Sequence, residues 1–497
     1  MIAYAVTTTL DTIEGAYAQL PADVLASISL LLLTIVGLSI IVWDAFKPRN
    51  AGLYPTAIGG TIAALVLEWS KMGATSKTVF SGMLSVNGEA ALLNVIILGA
   101  TLATLLLTRS YMDEAKTGHG ETPALLLFGA IGMMALAGAN HMVTIFIGLE
   151  TMSITLYILA GLVRSAEAIE SALKYFVLGA FSTGFLLYGM ALLYAETGTM
   201  YLNEIGTGSI TNSVTMLAGV GLLLVGFMFK ISAVPFHMWT PDVYQGAPTP
   251  LTGYMSTAGK ASAFMALFLV TRHVLHAGGD VVLGWTHVMA VFAVLSMVFG
   301  NLIALAQQNV KRMLAYSSVA HAGYILVGLA SGTEAGIEGG LYYLIVYAIM
   351  NVGAFAAIGY LERDGKQGAV QTVADLNGLG YKHAFLGVAL TIFLFSLAGF
   401  PPFAGFLGKY ALFAPALAAG RMDLVVVGVL ASAASAYYYL RILVALFMTG
   451  SEATEEEADV AHRPLDRSGT MVIAVSAILL IVMGLWPALI ERVASLL

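Results

Sequence analysis

The chain has no cysteine among its 497 residues. That excludes disulfides, thiolate-held zinc and cysteine-ligated iron–sulfur clusters within it. Charge is scarce as well: Asp, Glu, Lys and Arg make up 10% of the residues, against roughly 25% in a soluble domain. No glycine-rich dinucleotide motif stands between a strand and a helix. The nine histidines form no paired axial-ligand set, which disfavours a haem enzyme. The opening segment MIAYAVTTTLDTIEG lacks the basic start of a signal peptide, so the first spanning helix is expected to direct insertion. In place of charge there is apolar surface. Hydrophobic residues make up 59% and mean hydropathy is +0.87. This is the composition of an all-α polytopic membrane protein. Its surroundings are the lipid bilayer, and no nucleic-acid partner or metal site is expected.

A membrane span needs about 20 apolar residues. About fourteen spans are predicted on that basis, at 24–43, 53–70, 88–109, 122–139, 142–163, 171–195, 213–238, 251–275, 282–306, 313–330, 338–360, 384–418 (broken), 423–448 and 469–490. No soluble domain interrupts them. The longest polar stretches are 362–383 and 450–468, and the second holds the acidic run Glu455–Glu457, read as a solvated loop.

With the N-terminus outside, fourteen of the 22 Lys and Arg residues fall on the inner side, among them Lys116, Arg164, Lys311, Arg312, Lys366, Arg441 and Arg463. Five fall outside, including Lys71, Arg272 and Arg492. The positive-inside rule then places both termini on the outer side, with an even number of helices.

The three remaining basic residues are Lys230, Lys260 and Lys409, which lie inside apolar spans together with Glu150. A charge at the bilayer centre costs roughly 2.5–3.5 kcal/mol on the lenient insertion scale. Such residues must face protein or a hydrated cavity, and by default they mark an ion or proton route. Two spans also carry helix breakers: Pro235 in KISAVPFHMW (230–239), and Pro401 and Pro402 in AGFPPFAGFLGK (398–409). Proline removes a backbone donor and clashes with the preceding turn. The carbonyls it frees are tolerated at membrane depth only where protein or water satisfies them. Two breaks, each beside a lysine, point to an internal repeat with an ion site at each break. The lysine precedes the first break and follows the second, which suits inverted topology.

If the chain runs straight, Lys230 and Lys260 each stand roughly 18–20 Å from the turn at 242–246, near mid-membrane on neighbouring helices. The expected partner of Glu150 is Lys230. Low dielectric disfavours the charged form of an unpaired lysine, and a nearby carboxylate favours it. A counter-charge that approaches and recedes therefore drives proton exchange, and the three lysines would form a line in the membrane plane. Bland readings stand beside these: a structural ion pair for Glu150 and Lys230, and snorkelling to the interface for Lys409. His321, in a hydroxyl-rich helix, is either a relay or a packing histidine. His237, at the first break, is a possible relay or a cap. The run Tyr437–Tyr439 before Arg441 reads as an aromatic belt.

The stretch KISAVPFHMWTPDVYQGAPTP (230–250) followed by Lys260 resembles the antiporter-like membrane subunits of respiratory complex I, the proton-pumping NADH:quinone oxidoreductase. The resemblance runs from FIGLET (146–151) through NVKRMLAYSSVAHAGY (309–324) to AYYYLR (436–441). Within that family it is most similar to the N-subunit branch, by the wording DVYQGAP at 242–248 and by a lysine at 409. The resemblance implies fourteen helices with two inverted five-helix repeats and two broken helices. It divides the chain into helices 1–3 (1–121), a first repeat (122–275), a second (282–448), and an inner loop with helix 14 (449–497). It makes Glu150 the modulating carboxylate, Lys230 its partner, Lys260 the central relay and Lys409 the terminal lysine.

The activity implied is proton translocation across a bacterial inner membrane, coupled indirectly to NADH oxidation. The FMN, iron–sulfur clusters and quinone would sit in partner subunits, with no cofactor in this chain. The partners would be other membrane-arm subunits, including a neighbouring antiporter-like one. The alternative is a subunit of a multisubunit cation/proton antiporter or membrane-bound hydrogenase. A scaffold that only docks its neighbours is the third reading.

Overall fold

The computed structural model describes residues 20–486 and 488, except 74, 115–118, 164, 208–213, 276–279, 364–370 and 449–464. Glu455–Glu457, Lys116, Arg164, Lys366, Arg463 and Arg492 lie outside the described residues. In lipid each backbone polar group must be satisfied within the protein, so apolar segments form helices. Every segment read as a span is helical over most of its length. Among the described residues, nine helices are long and apolar enough to cross a membrane, and Thr122–Ala137, Val214–Lys230 and Ala404–Ala418 are shorter apolar helices.

The N-terminal group is α1 (Ile28–Phe46), α2 (Leu53–Ser70) and α3 (Gly88–Glu114). Between α2 and α3 lies a small antiparallel hairpin, β1 (Lys77–Val79) and β2 (Leu84–Val86), in which Lys77 faces Val86. Next come α4 (Thr122–Ala137), α5 (Met142–Ala160), α6 (Ala166–Thr197), the short α7 (Leu202–Thr207) and α8 (Val214–Lys230). Then α9 (Trp239–Gly246) and α10 (Thr249–Tyr254) lead through a π-helical turn, Met255–Gly259, into α11 (Lys260–Val270). The remainder is α12 (Asp280–Ala306), α13 (Val310–Ala330), α14 (Glu334–Arg363), α15 (Leu379–Lys382), α16 (Ala384–Ala398), α17 (Ala404–Ala418), α18 (Met422–Phe447) and α19 (Arg467–Leu485).

Local sequence explains several ends. The Ser165, Asn309 and Asp466 side chains accept from the first-turn amides of α6, α13 and α19, which otherwise lack partners. Both breaks fall where proline predicts them. The first separates α8 from α9 around Pro235, and the second separates α16 from α17 around Pro401 and Pro402. The Val234–Pro235 and Pro401–Pro402 peptides are both cis.

Close glycine crossings hold neighbouring helices together, among them one in each half of the chain. A Cβ at Gly132 would stand 2.6 Å from Met152 N, and one at Gly148 would stand 2.8 Å from Gly132 O, so α4 and α5 touch backbone to backbone. At the crossing of α12 and α13, a Cβ at Gly300 or Gly323 would lie 2.7 Å from a facing backbone nitrogen. Small residues allow this close approach where lipid supplies no hydrophobic drive between helices.

The centre of the bundle is the stretch 249–270, buried on every side, together with α13, which is almost wholly buried. By contrast α1 and α6 turn wide apolar faces outward. A polar side chain on α11 or α13 therefore meets only protein, and its hydrogen bonds must be found there.

Candidate functional site

Lys230, Lys260 and Lys409 are 5%, 3% and 5% exposed. None of them contacts a carboxylate among the described residues. Each ammonium is held by neutral oxygens instead.

Lys230 ends α8, and its Nζ donates to Ser153 Oγ at 2.8 Å and to Tyr157 OH at 3.2 Å, both on α5. Glu150 lies on the same helix, about one turn before Ser153. It is half-buried and accepts from Thr183 Oγ1 of α6 at 2.7 Å. The expected ion pair does not close. Ser153 and Tyr157 take the ammonium's hydrogen bonds. The straight-helix placement of Lys230 also fails, because residues 231–238 form the break and do not continue α8.

Lys260 opens α11 directly after the π-helical turn. Its Nζ donates to Ser318 O at 2.8 Å and to Ser318 Oγ at 2.5 Å, on α13. Tyr347 of α14 donates to the same hydroxyl at 2.7 Å. One turn further along α13, His321 is 1% exposed and bonds Tyr343 through Nδ1 and Tyr439 through Nε2, the latter at 3.1 Å. Tyr439 also meets Ser317.

Lys409, on α17, donates to Leu397 O at 3.2 Å, to Ala398 O at 2.9 Å and to Ser432 Oγ at 2.6 Å. The two carbonyls are the ones that the break leaves free at the end of α16. The negative end of that helix favours the ammonium. Lys409 also stands 4.8 Å from the centre of the Tyr324 ring. It does not snorkel.

The structure thus gathers Lys260, His321 and Lys409 around α13 and sets Lys230 beside Glu150 on α5. Helix α11 also packs against α8. His237 lies in the first break with its ring 6.2 Å from that of Tyr316, and none of its hydrogen bonds joins it to a lysine. The tyrosine run needs correction. Tyr437 is 64% exposed, as a belt residue would be, but Tyr438 and Tyr439 are buried at 0% and 1%. Ser153, Tyr157, Ser318, Tyr343, Tyr347, Ser432 and Tyr439 are the participants that sequence reasoning missed. The signals for some of them were the hydroxyl-rich run before His321, which holds Ser318, and the helical spacing that puts 153 and 157 after 150.

Residues 139–435 match the family described as NADH:quinone oxidoreductase/Mrp antiporter, TM. The chain is 49% identical to NADH-quinone oxidoreductase subunit N of Salinibacter ruber over 481 residues, which cover 95% of each chain. It is 43% identical to the subunit N of Trichlorobacter lovleyi over 475 residues, 93% of this chain and 94% of that one. Among solved structures it resembles a chain of respiratory complex I from Thermus thermophilus, with a TM-score of 0.80 and 34% identity over 93% of this chain and 98% of the other. A chain of the archaeal membrane-bound sulfane sulfur reductase has a TM-score of 0.83 at 25% identity, over 95% of this chain and 96% of the other. Together these likenesses place the chain in the NADH-quinone oxidoreductase subunit N family.

Proposed function

We propose that this chain carries protons through Lys230, Lys260 and Lys409, with Glu150 as the charge that modulates the first. As a membrane-arm subunit of NADH-quinone oxidoreductase, the chain is part of a translocase and moves protons across the membrane. One observation carries the lysine assignment. Three buried ammonium groups are held by hydroxyls and carbonyls and touch no carboxylate among the described residues. A lysine locked in a buried ion pair cannot give up its proton without stranding a charged partner, at a cost of several kcal/mol. A lysine held by neutral oxygens strands none.

In this reading the NADH-derived electrons pass through FMN and iron–sulfur clusters to quinone in partner subunits. A neighbouring antiporter-like subunit acts on Glu150. Fourteen crossings form two inverted five-helix repeats, 122–275 and 282–448, after the helices of 1–121 and before the loop and helix of 449–497. Both termini lie on the outer side of a bacterial inner membrane. Two matched features support the repeat: a lysine beside each proline break, and a glycine crossing in the first helix pair of each half. His321 serves as the relay between Lys260 and Lys409.

The test is the series Glu150→Ala, Glu150→Asp and Lys230→Ala in the purified complex. Both alanine variants should assemble and lose coupled turnover, and Glu150→Asp should be milder because the charge remains. Unchanged NADH oxidation and pumping in both alanine variants would reject the assignment.

A further inference from the structure

A second buried charge lies outside the lysine series. Glu68, near the end of α2, is 2% exposed. It accepts from Lys71 Nζ at 2.7 Å, from Asn94 Nδ2 of α3 at 2.9 Å, and from Ser29 of α1. Lys71 also donates to Ala26 O at 2.8 Å. These groups line a narrow cleft between the N-terminal helices, β2 and α4 that has room for about one water molecule. Glu68 and Lys71 are the charged residues on its wall.

Asn94 defines what the cleft requires. A carboxylate only accepts, so the Asn94 amide must turn its NH2 to Glu68 and its oxygen away. Asn94 is 8% exposed, and Oδ1 is enclosed without a hydrogen-bond partner. A buried carbonyl oxygen in that state costs about 1–3 kcal/mol, and native proteins commonly satisfy it with ordered water. The occupant must be a small hydrogen-bond donor, and water is the one that solvent supplies.

We propose that this cleft is a water-binding site. Its ordered water donates to Asn94 Oδ1 and opens a path from the Glu68 carboxylate to solvent at the hairpin end of the molecule. The site is separate from the lysine series and lies where the three N-terminal helices and β2 meet α4. It connects the buried Glu68 carboxylate to solvent, with Lys71 as its fixed counter-charge.

Met134 also lines the cleft, although it is 2% exposed, so hydroxyl-radical footprinting of the intact complex can read the water directly. Met134 should oxidise several-fold faster than Met152 and Met216, which are equally shielded at 2% and do not line the cleft. Asn94→Leu removes the acceptor and fills the space, and should bring Met134 down to the control rate. Equal rates in the unmodified complex, or a Met134 rate unchanged in Asn94→Leu, would overturn the proposal.

Discussion

Tyr439→Phe removes one oxygen and leaves the shape unchanged. The ring is 1% exposed and phenylalanine fills the same volume, so no cavity arises. Two hydrogen bonds go, one to Ser317 and one to His321 Nε2 at 3.1 Å. The Ser317 hydroxyl can turn toward a carbonyl of its own helix. His321 Nε2 cannot move, because Nδ1 is held by Tyr343. It stays buried without a partner, at about 1–3 kcal/mol. For a chain of this length, that shifts the unfolding midpoint by about 1–3 °C, so the complex should assemble. Proton transfer is far more sensitive. It needs heavy atoms within about 2.6–3.2 Å, and the variant opens the link between Ser317 and His321. Proton pumping in proteoliposomes should fall about tenfold or more, a modest share of what general acid–base groups contribute. A dye assay read beside NADH oxidation measures it. Full pumping at the normal oxidation rate would place the phenol off the proton path. A midpoint drop far beyond a few degrees, with loss of the subunit, would make its role structural.

Other perturbations separate the proton path from its support. Gly399 has φ +86°, and a Cβ there would lie 3.1 Å from Lys409 Nζ. Gly399→Ala should cost about 1–2 kcal/mol in backbone strain and displace the ammonium, lowering pumping more than assembly, as pumping per assembled complex will show. Gly323→Val forces α12 and α13 apart, and the subunit should be lost from the complex on native gels. Arg272 bonds Glu89 of α3 at 2.8 and 3.2 Å and also meets Glu334 of α14. Arg272→Ala leaves the largely buried Glu89 without that partner and should destabilise the chain by about 1–3 kcal/mol, reduced by partial exposure. Differential scanning should show a lowered midpoint with pumping per assembled complex retained.

The lysines could be read from sequence because charge is rare in apolar runs, so each of Lys230, Lys260 and Lys409 stood out. The breaks were legible for a similar reason, since proline has few places in a spanning helix. The groups that hold the lysines were not legible. Ser153, Ser318 and Ser432 are ordinary residues of membrane helices, where a hydroxyl can satisfy itself on its own backbone. Tyr438 and Tyr439 sit beside Tyr437 in one run, and only the helix's rotation decides which rings face lipid. Glu68, three residues before Lys71 near a span end, has the spacing of an interfacial pair. Its burial depends on α1, α3 and the hairpin, which sequence separates by tens of residues. The direct Glu150–Lys230 pair was inferred from charge alone, and the hydroxyls of α5 between them could not be placed without the fold.

The most direct test of the proton path is the number of protons moved per NADH by the complex carrying Lys260→Met. Methionine keeps an unbranched apolar stem in a site that is 3% exposed and removes the group that carries the proton. NADH oxidation by a water-soluble acceptor, which bypasses the membrane arm, should stay normal, while quinone-linked turnover and protons per NADH both fall. An unchanged ratio at unchanged turnover would contradict the claim that the buried lysines carry protons.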